Sequence, residues 1–280
     1  MRRTGLSKTS TGLFGVVLAC CILQACSTPP TIPIPQRLDA LLPADVILFG
    51  EQHDAPDHHA LERALVLELV QRGQLAVLAM EMAEQGHSTA SLARNASEAE
   101  AQAALHWDEG AWPWKSYGPV VMAAVQSGVP VVGANLARAA LRGAMANEKL
   151  DAHLSPASLD QQRDNIRTGH CMLLPESQIA PMTRIQIARD AAMAETLAGA
   201  ARAGKTALLV AGGGHVLRGL GVPAHLPAPL RLKVILAVAG PPEPGKISAA
   251  DVIWETPPLP PIDHCADLKQ REIFPARDPR

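Results

Sequence analysis

Val46-Ile47-Leu48-Phe49-Gly50-Glu51-Gln52-His53-Asp54-Ala55-Pro56-Asp57-His58-His59 is the stretch on which the reading of the chain turns. An apolar run, Val46 to Phe49, has the length of a buried strand. Gly50 supplies a turn, and ionisable side chains then crowd the chain from Glu51 to His59. A buried strand that runs into a glycine turn and then into charged groups has the form of the carboxyl edge of a parallel sheet. Open α/β sheets place their ligand sites at that edge. The rest of the sequence is read by asking what else arrives there.

The chain has 280 residues, 48% of them hydrophobic, enough for a substantial core. Net charge is -2, which gives nucleic acid no electrostatic reason to bind. Aromatics are only 3%, with Tyr117 the single tyrosine, so the core is aliphatic and alanine-rich. At the N-terminus, Arg2, Arg3 and Lys8 precede an apolar segment, Leu13 to Leu23. It is too short to cross a bilayer as a helix and has the form of a secretory signal over residues 1–25. Leu23-Gln24-Ala25-Cys26 resembles a bacterial lipobox. That resemblance makes Cys26 the lipidated first residue of the mature protein. Ser27 in place of an aspartate favours outer-membrane anchoring, with the domain facing the periplasm. The prolines at 29, 30, 33 and 35 make residues 26–35 a stiff tether. Removing Cys20, Cys21 and Cys26 leaves Cys171 and Cys265. An oxidising compartment allows them to pair, and their separation leaves pairing open.

Between 36 and 256 the pattern alternates strands with helices. Strands are expected at Val46–Gly50, Leu75–Met80, Val129–Gly133, Lys205–Ala211, Leu232–Ala239 and Val252–Trp254. Helices are expected at 36–42, Pro56–Arg72, Ser88–Ala104, Gly118–Ser127, Leu136–Leu150, Ser158–Gly169 with Ser158 as cap, and Thr183–Gly204. The expected fold class is therefore α/β, a mostly parallel sheet flanked by helices with a helical excursion. From 257 to 280 the proline-rich tail reads as irregular. His106–Tyr117 holds Trp107, Trp112 and Trp114, which read either as a lid or ligand wall or as a plug for one end of the core.

Strand ends bring Glu51, His53, Glu81, Asn135 and His215 to one edge, with His59, Arg138 and Arg218 nearby. His53, Glu81 and His215 form an N/O set that suits a divalent metal such as Zn, Mn or Fe. A Glu with a His equally suits general acid/base work. Each residue also has a plain structural reading: a His after a strand commonly caps or hydrogen-bonds, and His58 and His59 can mark a solvated helix start. No H-E-x-x-H, G-x-S-x-G or G-K-[ST] phosphate loop is present.

Six stretches, GEQHDAPDHH (50–59), LAMEM (78–82), VVGANLAR (131–138), HCMLLPE (170–176), RIQIARDAAMA (184–194) and GGGHVLRGLGVPAHL (212–226), together resemble the ChaN-like family of iron-regulated lipoproteins. The resemblance implies haem binding, a membrane anchor and a role in iron or haem acquisition. It leaves a homodimer open. It also implies a fold shared with erythromycin esterases and the TraB and Tiki proteins. In Tiki-like members, two G-x-x-H motifs and a Glu build a metal-dependent peptidase site. They map here onto Gly50 with His53, Gly212 with His215, and Glu51 or Glu81. A metal-dependent hydrolase is thus the alternative to haem carriage. Tyr117 is the candidate haem ligand by residue type. Met172 stands where the family is expected to have glycine.

Overall fold

The computed structural model describes residues 33–242 and 248–266. The signal peptide, Cys26 and most of the tether lie outside the described residues. Among the described residues no helix is long and apolar enough to cross a membrane. Six strands form one all-parallel sheet: β1 (Val46–Glu51), β2 (Leu75–Glu84), β3 (Val131–Asn135), β4 (Thr206–Gly212), β5 (Leu232–Ala239) and β6 (Val252–Thr256). Their order is β3-β2-β4-β1-β5-β6, so β4 inserts between the first two strands. Helices cover both faces, which is why β1 and β4 are apolar almost throughout rather than alternating.

The two faces have separate cores. Ile47 and Phe49 of β1 and Leu78, Met80 and Met82 of β2 pack with α2 (Pro56–Gln71) and α4 (Trp114–Gln126). Val46 and Leu48, with Val77 and Ala79, pack against α7 (Glu176–Ala200). Successive strand residues point to opposite faces. Glu51 therefore continues the Ile47–Phe49 row toward α2 and α4. Glu81 continues the Val77–Ala79 row toward α7.

Element boundaries depart from the sequence expectation for local reasons. β2 continues to Glu84, with a register shift after Met80, so Glu81 lies within the strand rather than after it. β3 begins at Val131 because Pro130 has no N–H for a ladder; only its carbonyl pairs, accepting from Leu78 N. The excursion is helical only over α3 (Glu98–Leu105), where Ser97 and Glu100 form a capping box; residues before it are irregular. Leu136–Leu150 breaks into short turns around α5 (Leu141–Ala146). Ser155, not Ser158, caps α6 (Pro156–Gly169), accepting from the Ser158 N–H with Pro156 in the first turn. The long α7 starts at Glu176, seven residues earlier than expected, and tolerates Pro181 in its second turn.

Cys171 and Cys265 are bonded, with their Cα atoms 5.6 Å apart. The bond ties the tail after β6 to the turn that ends α6. The tail residues Pro258 to His264 consequently run past Gln52, Asp54 and Ala239, at the carboxyl edge of β1 and β5. In that turn Cys171 and Met172 have φ of 56° and 60°, the left-handed region that favours glycine. This is the physical reason a glycine suits position 172.

Candidate functional site

His53 stands between the two faces. Its Nδ1 lies 2.8 Å from Glu51 Oε1, and its Nε2 lies 4.0 Å from Glu81 Oε2. β4 ends between them at Gly212. A Cβ at Gly212 would lie 2.7 Å from His53 Nε2, so only glycine leaves the ring its place. The Gly212 N–H donates to Glu81 Oε2 at 2.7 Å. Gly213 and Gly214 then turn the chain so that His215 enters the α7 face.

On that face the buried His215 lies between two buried carboxylates. Its Nε2 is 3.2 Å from Glu81 Oε1 and its Nδ1 is 2.5 Å from Asp190 Oδ1. Burial opposes a charge on the ring, but Glu81 and Asp190 together raise its pKa to about 10. Burial likewise opposes ionisation of Glu81, and the His215 charge overrides it, holding the carboxyl at about 2. For Asp190 burial prevails and the pKa rises to about 6. At neutral pH His215 is thus held as an imidazolium between the two carboxylates, with the Gln186 side-chain amide 3.0 Å from its Nδ1.

On the opposite face, Tyr117 donates its hydroxyl to Glu51 Oε1 at 2.8 Å, and His59 Nε2 lies 3.1 Å from Glu51 Oε2. The latter contact has the distance of an ion pair without the alignment of a hydrogen bond, so both atoms are left without a hydrogen-bond partner. Glu51 is buried, yet its hydrogen bond with His53 and the close contact of His59 hold its pKa well below the usual carboxylate range. Glu62, fully buried on the inner stripe of α2, is pushed the other way by burial and by the Glu51 charge. The inner stripe of α2 comprises His58, Glu62, Leu65, Val66 and Leu69, while the apolar Leu67 is exposed. His58 is not solvated but fully buried. Its Nδ1 accepts from Gln52 N, its Nε2–H reaches Thr256 Oγ1, and burial keeps the ring neutral.

The expected edge group therefore comes together in part. Glu51, His53, Glu81 and His215 meet, and His59 joins through Glu51. Asn135 Nδ2 donates to the Glu81 carbonyl, a bond that fastens β3 to β2. Arg138 is exposed and paired with Asp108. Arg218 is paired with Asp251, away from the group. Among the described residues, the donors that gather within 4.8 Å are Glu51, His59 and Glu62 rather than His53, Glu81 and His215. Tyr117 is 1% exposed with its hydroxyl committed to Glu51, and burial and the Glu51 charge disfavour its phenolate. Asp190 and Glu62 were the residues sequence reasoning left out. Their signal was an ionisable group on the apolar stripe of a helix.

Outside these contacts the edge opens into a cavity of about 780 Å³. Gly212–Gly214, Leu217 and Leu236–Val238 make an apolar wall, and Glu51, His53, Gln186, His215 and the tail's His264 are among the polar groups that line the rest. A Cβ at Gly214 would meet nothing within 4 Å, so the wall there faces open space. Trp112 packs edge-on to His53 at 4.8 Å between centroids, and Trp107 and Trp114 close the core behind it. The tryptophan loop thus plugs the core and props His53 from behind.

Residues 37–226 match the family described as haem-binding uptake, Tiki superfamily, ChaN. The chain belongs to this ChaN family. Membership supplies haem as its ligand at the coarse level of binding and uptake. A solved ChaN of Campylobacter jejuni, described by its cofacial haem binding, is 26% identical, with a TM-score of 0.65. The match covers 78% of this ChaN-family chain and 89% of the Campylobacter one. The type III effector HopBA1 is 16% identical, with TM-score 0.43 over 82% of this chain and 96% of its own. The toxin effector domain RRSP from Vibrio vulnificus is 12% identical, with TM-score 0.41 over 80% and 40%. Likeness at those two values carries no argument about chemistry. No curated protein sequence matches the chain.

Proposed function

We propose that the chain is a haem-binding lipoprotein of the bacterial outer membrane that holds or passes on haem during iron acquisition. The observation that carries this reading is the open cavity at the carboxyl edge. Its volume lies in the range of small-molecule sites. Its glycine and aliphatic wall lets a flat macrocycle lie close, and its rim offers imidazoles. His264 is the freer of the two. It is 67% exposed, with only the Asp54 carboxylate at 3.8 Å, whereas His53 Nδ1 is tied to Glu51. His264 is therefore the favoured iron ligand, His53 the second, and Tyr117 would first have to leave Glu51. Bound haem supplies the iron being carried. The protein's part is to ligate it, shield one face and exclude water.

The test is a haem titration of the purified protein followed at the Soret band. A saturable shift, weakened about tenfold or more by His264→Ala, supports the reading. No saturable shift sinks it, and a shift indifferent to both His264→Ala and His53→Ala removes the assigned ligands. The Campylobacter relative's cofacial arrangement leads us to include a homodimer stacked through this open mouth. Sedimentation with and without haem would show whether haem drives the association. Cys26 as a lipid anchor is supported by the Leu23–Cys26 pattern. Cys26→Ser should release the protein from membranes, and its continued membrane residence would refute the anchor.

A further inference from the structure

We infer a second ligand site, with donors other than the haem-ligand candidates although Glu51 also borders the haem cavity: a buried divalent-metal site made by Glu51, His59 and Glu62 on the α2–α4 face of the sheet. It does not depend on the haem reading.

Four polar atoms converge there without hydrogen-bond partners: Glu51 Oε2, His59 Nε2 and both oxygens of Glu62. One donor from each residue lies within 4.8 Å of the others, a spread a single ion can draw together. Buried polar groups are almost always partnered, and an unpaired buried carboxylate is among the most costly. Two carboxylates and an imidazole form the N/O set taken by Zn, Mn or Fe(II), and the two carboxylates neutralise a dication. The neighbours already orient the ligands. Tyr117 and His53 hold Glu51 Oε1, which leaves Oε2 turned toward His59. α2 presents His59 and Glu62 on adjacent turns of one face. His59 also borders an outer depression lined by Asp54, Arg63 and Lys115, so its ring lies close to the surface. The rival occupant is a proton on Glu62 donated to Glu51, which satisfies two of the four atoms and leaves His59 bare.

The experiment uses the full chain, purified free of haem, stripped with chelator and equilibrated with zinc chloride, with bound zinc read by elemental analysis. We expect one equivalent in the wild type and in the control His225→Ala. Glu62→Gln and His59→Gln should bind more than about 100-fold more weakly, since even outer partners of metal ligands cost 10–100-fold. Circular dichroism checks that each variant folds. Should Glu62→Gln not fold, His59→Gln carries the test, and full zinc uptake by that variant overturns the proposal. Zinc that follows Glu81→Gln instead of Glu62→Gln overturns it too, as does a wild type that takes up no zinc.

Discussion

Replacing His215 by Ala leaves Glu81 and Asp190 in a buried space with no cation between them, and only His53, 4.0 Å from Glu81, and Arg189 to act on them from outside. Breaking a buried pair in this way typically costs about 3–5 kcal/mol. The Glu81 carboxyl gives an independent scale. Its pKa falls from 4.5 to about 2, and at about 1.4 kcal/mol per unit that is roughly 3 kcal/mol. The sign follows from linkage. A depressed carboxyl contributes stability above its unfolded pKa of about 4.5 and loses it as pH falls through 2. In His215→Ala that contribution is gone, and burial alone pushes Glu81 up instead. The variant's deficit therefore grows from acid toward neutral pH. Urea denaturation at pH 7 should show a loss of about 3–5 kcal/mol, and at pH 4 a loss smaller by at least about 1 kcal/mol. Adding Glu81→Gln to His215→Ala removes the stranded charge and should recover part of the loss at pH 7. A deficit equal at both pH values, with no recovery in the double variant, would mean that His215 contributes only packing, and the imidazolium assignment would fall.

Other perturbations follow from the same geometry. Cys171→Ser with Cys265→Ser opens a link across 94 residues and should cost about 2–4 kcal/mol by urea denaturation. It should also weaken haem binding by freeing His264, whereas haem affinity unchanged in the double variant would detach the tail from the site. Met172→Gly relieves a left-handed residue at φ 60° and should raise stability by about 0.5–1 kcal/mol; a thermal midpoint that drops would show the turn is not strained. Gly212→Ala places a methyl 2.7 Å from His53 Nε2, so the ring must leave Glu51. We expect a loss of about 1–3 kcal/mol with weakened haem binding, and an unmoved His53 resonance by NMR would contradict it.

How much of this was legible in the sequence depends on which physics was local. Strands were readable because a parallel sheet covered on both faces leaves continuous apolar runs, as in Val46–Phe49 and Thr206–Ala211. The carboxyl-edge meeting of Glu51, His53, Glu81 and His215 was readable because strand-helix-strand units run parallel. The division of that group between two faces was not, because alternation says only that neighbouring strand residues oppose each other, and which row meets α2 and α4 and which meets α7 is set by how the helices pack. Asp190 and Glu62 were hidden for a related reason. Each interrupts a helix stripe that reads as core, so counting only apolar residues skips it, as Leu67 shows from the other side by appearing apolar yet lying exposed. The lesson is physical. An ionisable residue on a buried stripe costs stability by itself, so its presence argues for a counterpart on the facing element. Asp190 has found that counterpart in His215, an imidazolium held from both sides. Glu62 faces only Glu51 and His59, whose turned-in atoms also lack partners, and the charge balance there is completed by a cation or by a proton. The two faces of one strand edge thus divide the work: the α7 face is closed by its own charges, and the α2–α4 face is the one left with ligand atoms to spare.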